Sequence, residues 1–404
     1  MASSSQKPMN PFFTGIVIPN DYFCDRKSET EMLIEYINNS VNVVLKSPRR
    51  IGKSSLIMHF FNQEEIAKNY NTLFVDIYGT KSMADFLHEF QNAFINAPFA
   101  KTEKGRKGIM DLFQRIYFQV NFNPEGTLGS ARIGISPTQG YSITLSEMFS
   151  YLEKTQKPNI VVFDEFQKIK EYPEDAAAIL RSYVQRMNNT HFIFSGSSRH
   201  MLDKMFENSN EPFYRSAKSM DLKPISQDVY ISFAKGLFLS YGKNIDDAAI
   251  DLVYWLFSGN TYDMQEVMKE TFMKTTTSES VTPEKVTGFI IDILEQRDYE
   301  FRDRLDKIDS EKARRLLYCI ANEGIATGIT SSAMIKQYNL DNASSVQNAI
   351  KYLGDDKRNI ITKVGKNGFM LQNRFFELWL AKHSGSFQHK IETAKERFEK
   401  ESSR

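Results

Sequence analysis

The chain has 404 residues, of which 41% are hydrophobic and 25% charged. This composition is typical of a folded globular protein with room for two or three domains. The net charge of +1 excludes a protein that is basic throughout. The charge is uneven, however: residues 311–404 hold 16 Lys and Arg against 10 Asp and Glu, which fits either a polyanionic partner or an ordinary solvated surface.

The two cysteines and the hydrophobic pattern indicate a cellular compartment. Cys24 and Cys319 lie far apart in the sequence, which excludes a disulfide framework and a cysteine metal site, and favours a reducing environment. No apolar stretch approaches the roughly 18 residues that a membrane span requires. Residues 1–15 contain no apolar leader segment. We therefore expect a soluble, cytoplasmic protein without a membrane partner.

The N-terminal residues predict a flexible lead followed by a helix. Residues 1–13 form the lead, and residues 22–37 (YFCDRKSETEMLIEYI) have the pattern of a helix that Asp25 caps. The helix leads into the first predicted strand, so two interpretations stay open. Asp25 and Arg26 either lie beside a ligand at the end of that strand, or act as a cap and a surface arginine.

Residues 41–57 (VNVVLKSPRRIGKSSLI) predict a buried strand, a tight turn and a helix N-terminus, in an order that forms a phosphate cradle. In this P-loop pattern Lys53 reaches the β- and γ-phosphates of ATP, and the Ser54 hydroxyl binds Mg²⁺. Ser47 stands where the pattern has its first glycine. The residues expected at the nucleotide are Asp25, Arg26, Ser47, Pro48, Arg49, Arg50, Ile51, Gly52, Lys53, Ser54 and Ser55.

A second phosphate-handling motif follows about 110 residues later. After a strand at 71–78, a helix at 83–97 and a strand-rich insertion at 117–137, residues 159–167 (NIVVFDEFQ) form a buried strand that ends in two carboxylates. Ligands of open α/β folds bind at such strand ends. We expect Asp164 to hold Mg²⁺ directly or through water, and Glu165 to polarise the attacking water.

The next strand, at 191–194, ends in SGSSRH. A polar side chain at this strand end, with Ser197, Ser198 and Arg199 as the candidates, either bonds the γ-phosphate or the attacking water, or belongs to a plain turn. Arg199 and Arg215 are each either an arginine finger or a surface arginine. The expected catalytic set is Glu165, Lys53, Ser197, Arg199 and Arg215.

The C-terminal half predicts two further domains. Helical patterns at 229–241, 245–257 and 263–275, and a fourth helix beginning at Thr282, form a lid. Three helices and a hairpin between residues 313 and 372 form a winged helix-turn-helix, a module that binds either DNA or proteins. The side chains expected at DNA are Ser344, Ser345, Gln347, Asn348, Lys351, Lys363 and Lys366.

Together, SPRRIGKSSL, VVFDEFQ, IFSGSSRHM and PFYRSAKSMDL resemble the archaeal-type ATPase family, which belongs to the STAND branch of AAA+ P-loop ATPases. FCDRKSE resembles its F-x-x-R-x-x-E box, and GNTYDMQEVM its lid motif, with Thr261 in place of proline. The resemblance implies ATP binding, slow Mg²⁺-dependent hydrolysis and nucleotide-driven oligomerisation. The α/β fold it implies has a parallel-sheet P-loop core (14–222), an all-α lid (223–305), a winged-helix domain (306–384) and a charged tail (385–404).

The sequence therefore favours an ATP-dependent molecular switch that contacts DNA or protein through the winged helix and forms a homo-oligomer or binds a partner protein. Two alternatives stay open. One is a DNA-binding regulator whose nucleotide site is structural or vestigial, and the other is the ATPase subunit of a genome-defence system. These hypotheses differ in whether nucleotide changes DNA binding and the oligomeric state.

Overall fold

A computed structural model describes residues 7–115, 118–122, 128–133, 141–173, 175–355 and 358–402. The chain divides into two compact units. The first, which we call the core unit, is Gly15–Lys223. The second, the helical unit, consists of the described parts of Met1–Thr14 and Pro224–Arg404.

The core unit is built on a parallel sheet with the strand order β2-β5-β6-β1-β7. The order places β6 between β1, which leads into the P-loop, and β5, which ends in the two carboxylates. A separate antiparallel pair, β3 and β4, confirms the strand-rich character of the predicted insertion, although residues 117, 123–127 and 134–137 of it lie outside the described residues. The strands are β1 (Val43–Lys46), β2 (Asn71–Asp76), β3 (Phe118–Phe122), β4 (Leu128–Ile133), β5 (Asn159–Asp164), β6 (Thr190–Gly196) and β7 (Lys218–Asp221).

Helices cover both faces of this sheet, which explains why its central strands are apolar without alternation. In β5, Ile160 and Val162 pack on one face, while Val161 and Phe163 pack on the other. The first face is covered by α1 to α3, and the second, which is rich in phenylalanine, by α4 to α8. The helices are α1 (Lys27–Asn38), α2 (Lys53–Phe61), α3 (Glu64–Asn69), α4 (Met83–Asn96), α5 (Glu103–Arg115), α6 (Tyr141–Glu153), α7 (Ala176–Val184) and α8 (Arg199–Glu207).

Two elements of the core unit differ from the sequence prediction. The edge strand β7 was not predicted, because only Met220 of its four residues is buried and the polar KSMD pattern resembles a loop. The basic stretch 101–107 has the sequence pattern of a solvated loop, but it runs into α5, whose Ile109 and Leu112 are buried. In both cases tertiary contacts decide a conformation that the local pattern leaves open.

The helical unit begins with the predicted lid helices. Thr282 caps α12 through its hydroxyl, as its position before Pro283 predicts. Two short parallel strands, β8 (Asn244–Ile245) and β9 (Ser280–Val281), were missed in a region predicted to be wholly helical. The helices are α9 (Gln227–Ser240), α10 (Asp247–Leu256), α11 (Thr261–Lys274), α12 (Pro283–Gln296) and α13 (Asp298–Asp306).

The winged helix-turn-helix is present, as predicted. Its strands pair antiparallel in the order β10-β12-β11. Asn342 caps the third helix by accepting a hydrogen bond from the backbone N–H of Ser345 at 2.9 Å. The elements are α14 (Glu311–Glu323), β10 (Ala326–Thr327), α15 (Ser332–Gln337), α16 (Ala343–Gly354), β11 (Ile361–Val364), β12 (Gly368–Leu371), α17 (Arg374–Ser384) and α18 (Phe387–Ser402).

Part of the predicted flexible lead is buried in the helical unit, and the predicted charged tail contains a helix. Phe12 is 1% exposed and packs against Phe238 and Phe272 of the helical unit. At the other end, α18 is amphipathic and buries Phe387, Ile391 and Ala394. Buried apolar side chains therefore hold both Phe12 and α18 in the helical unit. In the part of the chain that the structure describes, no helix is both long and apolar enough to cross a membrane.

Candidate nucleotide site

The P-loop conformation explains how the chain tolerates a serine at the first glycine position. Its left-handed residues are Arg50 (φ 66°) and Gly52 (φ 95°), and Ser47 is not among them. A Cβ at position 47 therefore imposes no unfavourable φ. The Ser47 side chain is fully buried, and its hydroxyl donates to the Pro48 carbonyl at 2.8 Å. Pro48, Arg49 and Arg50 are exposed at the surface of the loop.

The two phosphate-handling motifs, distant in sequence, meet in the core unit. Ser54 Oγ donates to Asp164 Oδ2 at 2.7 Å, and Lys53 Nζ lies 3.7 Å from Glu165 Oε1. Lys53 is 7% exposed and stands at the first residue of α2, where the positive end of the helix dipole adds to its charge. The arrangement is an anion site with a carboxylate pair beside it.

The donor set at this site fits a magnesium ion. Mg²⁺ in phosphate-handling sites takes one or two protein oxygen ligands and fills the rest of its shell with water and phosphate. Ser54 Oγ and Asp164 Oδ2 are hard oxygen ligands already within hydrogen-bond distance of each other. Among the described residues there is no cluster of three or more His, Cys, Asp or Glu that would suit a metal ion held by protein alone.

Glu165 is the most constrained residue of the site. Its backbone is left-handed (φ 58°), and its side chain is 15% exposed. Oε2 accepts hydrogen bonds from Ser197 Oγ at 2.7 Å, from the Ser197 backbone N–H at 3.3 Å and from Gln167 Nε2. Burial raises the pKa of Glu165, but the charge of Lys53 and the bonds from Ser197 and Gln167 outweigh burial, so the pKa is lowered from 4.5. The carboxylate is therefore charged, and these hydrogen bonds hold it in one orientation.

Gln167 was not singled out from the sequence. It is 5% exposed, its Nε2 donates to Glu165, and its Oε1 lies against the backbone of Gly196. A Cβ on Gly196 would stand 2.1 Å from this oxygen, so a larger residue there would displace the glutamine. The sequence pointed to Gln167 only through its position, two residues after Glu165 in FDEFQ. Nothing in the sequence indicated that its side chain turns back.

Asp76 is a further acidic residue that the sequence analysis missed. It ends β2 and is the register partner of Asp164 at the end of β5. Partial burial and the negative charges of Asp164 and Glu165 raise the pKa of Asp76 from 3.8. The signal was present, since NTLFVD and NIVVFD both place an aspartate after a buried strand, and parallel strands end at one edge of a sheet.

A buried lysine stands at the entrance to the P-loop. Lys46, the last residue of β1, is 7% exposed at its side chain. It pairs with Asp203 of α8, and Glu207 lies 3.4 Å away. Burial lowers the pKa of Lys46, but the hydrogen bond and the negative charge of Asp203 raise it by more than burial lowers it. The pKa of Lys46 is therefore raised overall. This ion pair fixes α8 to the strand that carries the P-loop.

Arg49 connects the loop to the strand between the two motifs. Its Nε lies 3.5 Å from Ser197 Oγ, a long contact. Its guanidinium stands over the ring of Tyr78, 5.5 Å from the centroid, and Lys168 lies near the same ring. Of the strand-end residues proposed from the sequence, Ser197 is therefore the one in contact with both Arg49 and Glu165.

The structure also locates the N-terminal candidates. Asp25 is exposed and does not cap α1, because the N-cap position is Arg26 and no side chain bonds the first turn. Arg26 is 4% exposed, so the surface-arginine interpretation is wrong. Its guanidinium bonds Glu29 and the carbonyl oxygens of Ile51 and Lys223. Ser55 Oγ makes a long contact of 3.5 Å with the Gly15 carbonyl.

The two arginines considered as fingers have different surroundings. Arg199 donates to Asp221 Oδ1 at 2.7 Å, and both side chains are about half exposed. Arg215 is exposed and left-handed (φ 52°), and its guanidinium stands over the Tyr214 ring. Arg199 is thus held by an ion pair, whereas the Arg215 guanidinium contacts an aromatic ring.

In the helical unit, the residues proposed for DNA lie on the surface as predicted. On α16, Ser345 is half-buried and lies 3.4 Å from Lys312 Nζ. Lys312 also pairs with Asp341, which reduces the positive charge at the start of the helix. The other proposed side chains are exposed: Ser344, Gln347, Asn348, Lys351, Lys363 and Lys366.

Comparison with known proteins gives two family matches. The profile of a family described as an ATPase domain predominantly from Archaea matches residues 23–267, more than half of the chain. A profile described as a probable winged helix domain matches residues 299–382. No curated protein matches the chain.

Solved structures with the same fold include two from archaea. A Walker-type ATPase of Pyrococcus abyssi aligns with a TM-score of 0.63 at 17% identity, covering 92% of this chain and 99% of that one. The ORC2 protein of Aeropyrum pernix, solved as ADPNP–ADP complexes, aligns with a TM-score of 0.57 at 12% identity, covering 96% and 98%. At these identities the likeness establishes the fold.

Proposed function

The chain belongs to this ATPase family and hydrolyses ATP, and we propose that it works as a nucleotide-dependent switch of the AAA+/STAND type. The observation that carries the proposal is the meeting of the two motifs. Ser54 with Asp164, and Lys53 with Glu165, bring a phosphate cradle and a base together in the core unit. Holding a charged, nearly buried glutamate in place costs free energy, and such groups are concentrated at functional sites. This supports an active site over a vestigial one.

In the proposed reaction the residues have distinct roles. The P-loop backbone and Lys53 bind the β- and γ-phosphates, and Ser54 and Asp164 hold Mg²⁺, which would neutralise charge on the phosphates when bound. Glu165 accepts a proton from the attacking water at its carboxylate. Ser197 and Gln167 orient that carboxylate through their hydrogen bonds to Oε2.

The switch itself rests on the division of the chain into two units and on the winged helix that one of them contains. Nucleotide in the core unit would set the population of oligomers and the availability of the winged helix. The solved ORC2 protein of Aeropyrum pernix was obtained as ADPNP–ADP complexes, which supports nucleotide use by a chain of this fold. We propose Arg215, which is exposed and whose guanidinium stands over the Tyr214 ring, for contact with the phosphates of a neighbouring subunit.

Light scattering after size exclusion tests the switch. We expect a larger assembly with ADPNP than without nucleotide, and no change in the Lys53→Ala variant, which lacks the phosphate-binding cation. The Arg215→Ala variant should bind nucleotide but hydrolyse it slowly in the assembly. An unchanged mass of the wild-type chain under saturating nucleotide would contradict the proposed oligomerisation.

The exposed polar face of α16 and the wing lysines favour DNA as the partner of the winged helix. We propose that Lys351, Lys363 and Lys366 contact phosphates. The triple alanine variant should bind duplex DNA more weakly. The slope of its log binding constant against log salt concentration should become shallower by about 0.9 for each lost phosphate contact. Lys400, exposed and paired with Glu396 on α18 outside residues 299–382, provides the control variant. Equal binding by both variants would favour a protein partner instead.

A further inference from the structure

Arg26 makes an unusual set of contacts for a charged residue. It is 4% exposed, and its Nη1 donates to Glu29 Oε1 at 2.7 Å and to the Lys223 carbonyl at 2.8 Å. Its Nη2 donates to the Ile51 carbonyl at 3.3 Å. A buried charge is tolerated only when it is paired and its donors are satisfied, and here one carboxylate and two backbone carbonyls provide both.

The two carbonyls belong to functionally distinct segments. Ile51 lies inside the P-loop, between the left-handed residues Arg50 and Gly52 and two residues before Lys53. Lys223 is the last residue of the core unit, directly before the chain enters the helical unit at Pro224. One planar guanidinium therefore connects the phosphate loop to the point at which the chain leaves the core unit.

The backbone around Arg26 is held in an unfavourable conformation. Asp25 (φ 55°) and Arg26 (φ 68°) are consecutive left-handed residues, although neither is a glycine. Such conformations persist only where the surroundings fix them, and they are concentrated at functional sites. Glu29, one turn into α1, anchors the guanidinium at 2.7 Å from the other side. The strained turn and the ion pair together orient the Arg26 side chain between its two carbonyl acceptors.

We propose that Arg26 is a positioning residue that couples the conformation of the P-loop to the segment at Lys223. Phosphate bound by the loop fixes Ile51, Ile51 fixes the guanidinium, and the guanidinium fixes the Lys223 carbonyl. This inference rests on the proposed nucleotide-dependent switch and identifies the residue that carries its signal within the core unit. It also gives a physical reason for the arginine and the glutamate of the FCDRKSE segment, since the two side chains form one ion pair.

The conservative substitution Arg26→Lys tests the planar geometry of the guanidinium separately from its charge. Lysine keeps the positive charge and can pair with Glu29, but its ammonium is a single point that cannot hold two carbonyls in the planar geometry of a guanidinium. The measurement is hydrogen–deuterium exchange of the amides of residues 218–227, with and without ADPNP, together with kcat and KM for ATP. The exposed neighbour Lys27 provides the control, as Lys27→Ala.

In the wild-type chain and in Lys27→Ala, ADPNP should slow exchange of this segment. In Arg26→Lys the slowing should be lost, and KM should rise about tenfold while kcat at saturating ATP changes less than about twofold, because the loop is misplaced and the base is intact. If Arg26→Lys does not fold, Arg26→Gln can replace it, because it removes both the buried charge and the planar guanidinium. It should show the same loss of slowing and the same rise in KM.

The outcomes separate this inference from the proposed switch. If ADPNP does not change exchange in the wild-type chain, the switch is wrong. If it does, and Arg26→Lys keeps both the slowing and the wild-type KM, the coupling role of Arg26 is wrong. Glu29→Gln removes the charge of the ion pair but keeps a side-chain oxygen that can accept from Arg26 Nη1, so the guanidinium should stay oriented and the slowing should be preserved. Equal loss in Glu29→Gln and Arg26→Lys would indicate general destabilisation and overturn the inference.

Discussion

Glu165 in the core unit and Glu377 in the helical unit are both acidic side chains that lie among cations away from solvent. Glu165 is 15% exposed and lies 3.7 Å from Lys53. Glu377 is fully buried between Arg374 and Lys390, the latter at 3.0 Å. By burial and charge pairing alone, Glu377 would be the stronger candidate for a functional residue.

Their backbone settings differ in a way that separates the two roles. Glu165 follows the end of a parallel strand, in a left-handed conformation, where ligands of α/β folds bind. Glu377 lies inside α17, one turn from Arg374, whose guanidinium also donates to the Leu256 carbonyl at the end of α10. The Glu377 cluster joins helices, while the Glu165 cluster faces a phosphate loop. A buried ion pair indicates structure unless its location offers access to a ligand.

The largest expected effect tests the catalytic role of Glu165. Glu165→Gln keeps the shape and the hydrogen bonds but removes the base, so kcat should fall by about 10² to 10⁴-fold. ATP binding, measured by fluorescent nucleotide titration, should persist, whereas Lys53→Ala should lose it. Turnover within tenfold of the wild-type rate would contradict the role of Glu165.

The structural role of Glu377 is tested by Glu377→Ala, which leaves Arg374 and Lys390 without their buried counter-ion. The free energy of unfolding of the helical unit should fall by about 3–5 kcal/mol. Glu284→Ala is the matched control, because Glu284 pairs with Lys395 at 2.5 Å but is 70% exposed. Its loss should cost less than about 1 kcal/mol in the same chemical denaturation experiment. Equal costs would mean that burial is not what distinguishes the two pairs.

A smaller effect is expected where Glu165 is oriented rather than removed. Gln167→Leu deletes one hydrogen bond to the charged carboxylate, so kcat should fall about tenfold with KM for ATP nearly unchanged. Gln185, exposed at the end of α7, provides the control as Gln185→Leu. A change in KM alone, measured by steady-state kinetics, would indicate that Gln167 supports nucleotide binding and not the base.

The smallest effect is on the pH dependence of stability. Because the pKa of Glu165 is lowered from 4.5 in the folded chain, its charged form stabilises the fold above that pH. The stabilisation is lost as the pH falls through the folded pKa. The difference in unfolding free energy between the wild-type chain and Glu165→Gln should therefore be constant above about pH 4.5 and shrink below it. A difference that does not vary with pH would contradict the lowered pKa.

The fold was largely predictable because its signals are local. Apolar runs gave the buried strands, and helical periodicity with caps such as Asn342 gave the winged helix. The edge strand β7 was not predicted, because a single buried residue in a polar segment carries no periodic signal. Phe12 illustrates the same point at the N-terminus, where one ring packed on two others fixes an otherwise polar lead.

The chemistry of the site was determined by the sequence itself. The order of strand, turn and GKS, and of strand and Asp164–Glu165, specifies a phosphate cradle and its base, because strand ends and helix N-termini have fixed electrostatics. The tertiary structure alone decided the supporting residues. Gln167 turning back to Glu165, and Arg26 joining Ile51 to Lys223, depend on which side chains converge from segments up to 197 residues apart. That convergence is set by packing, which no local pattern records.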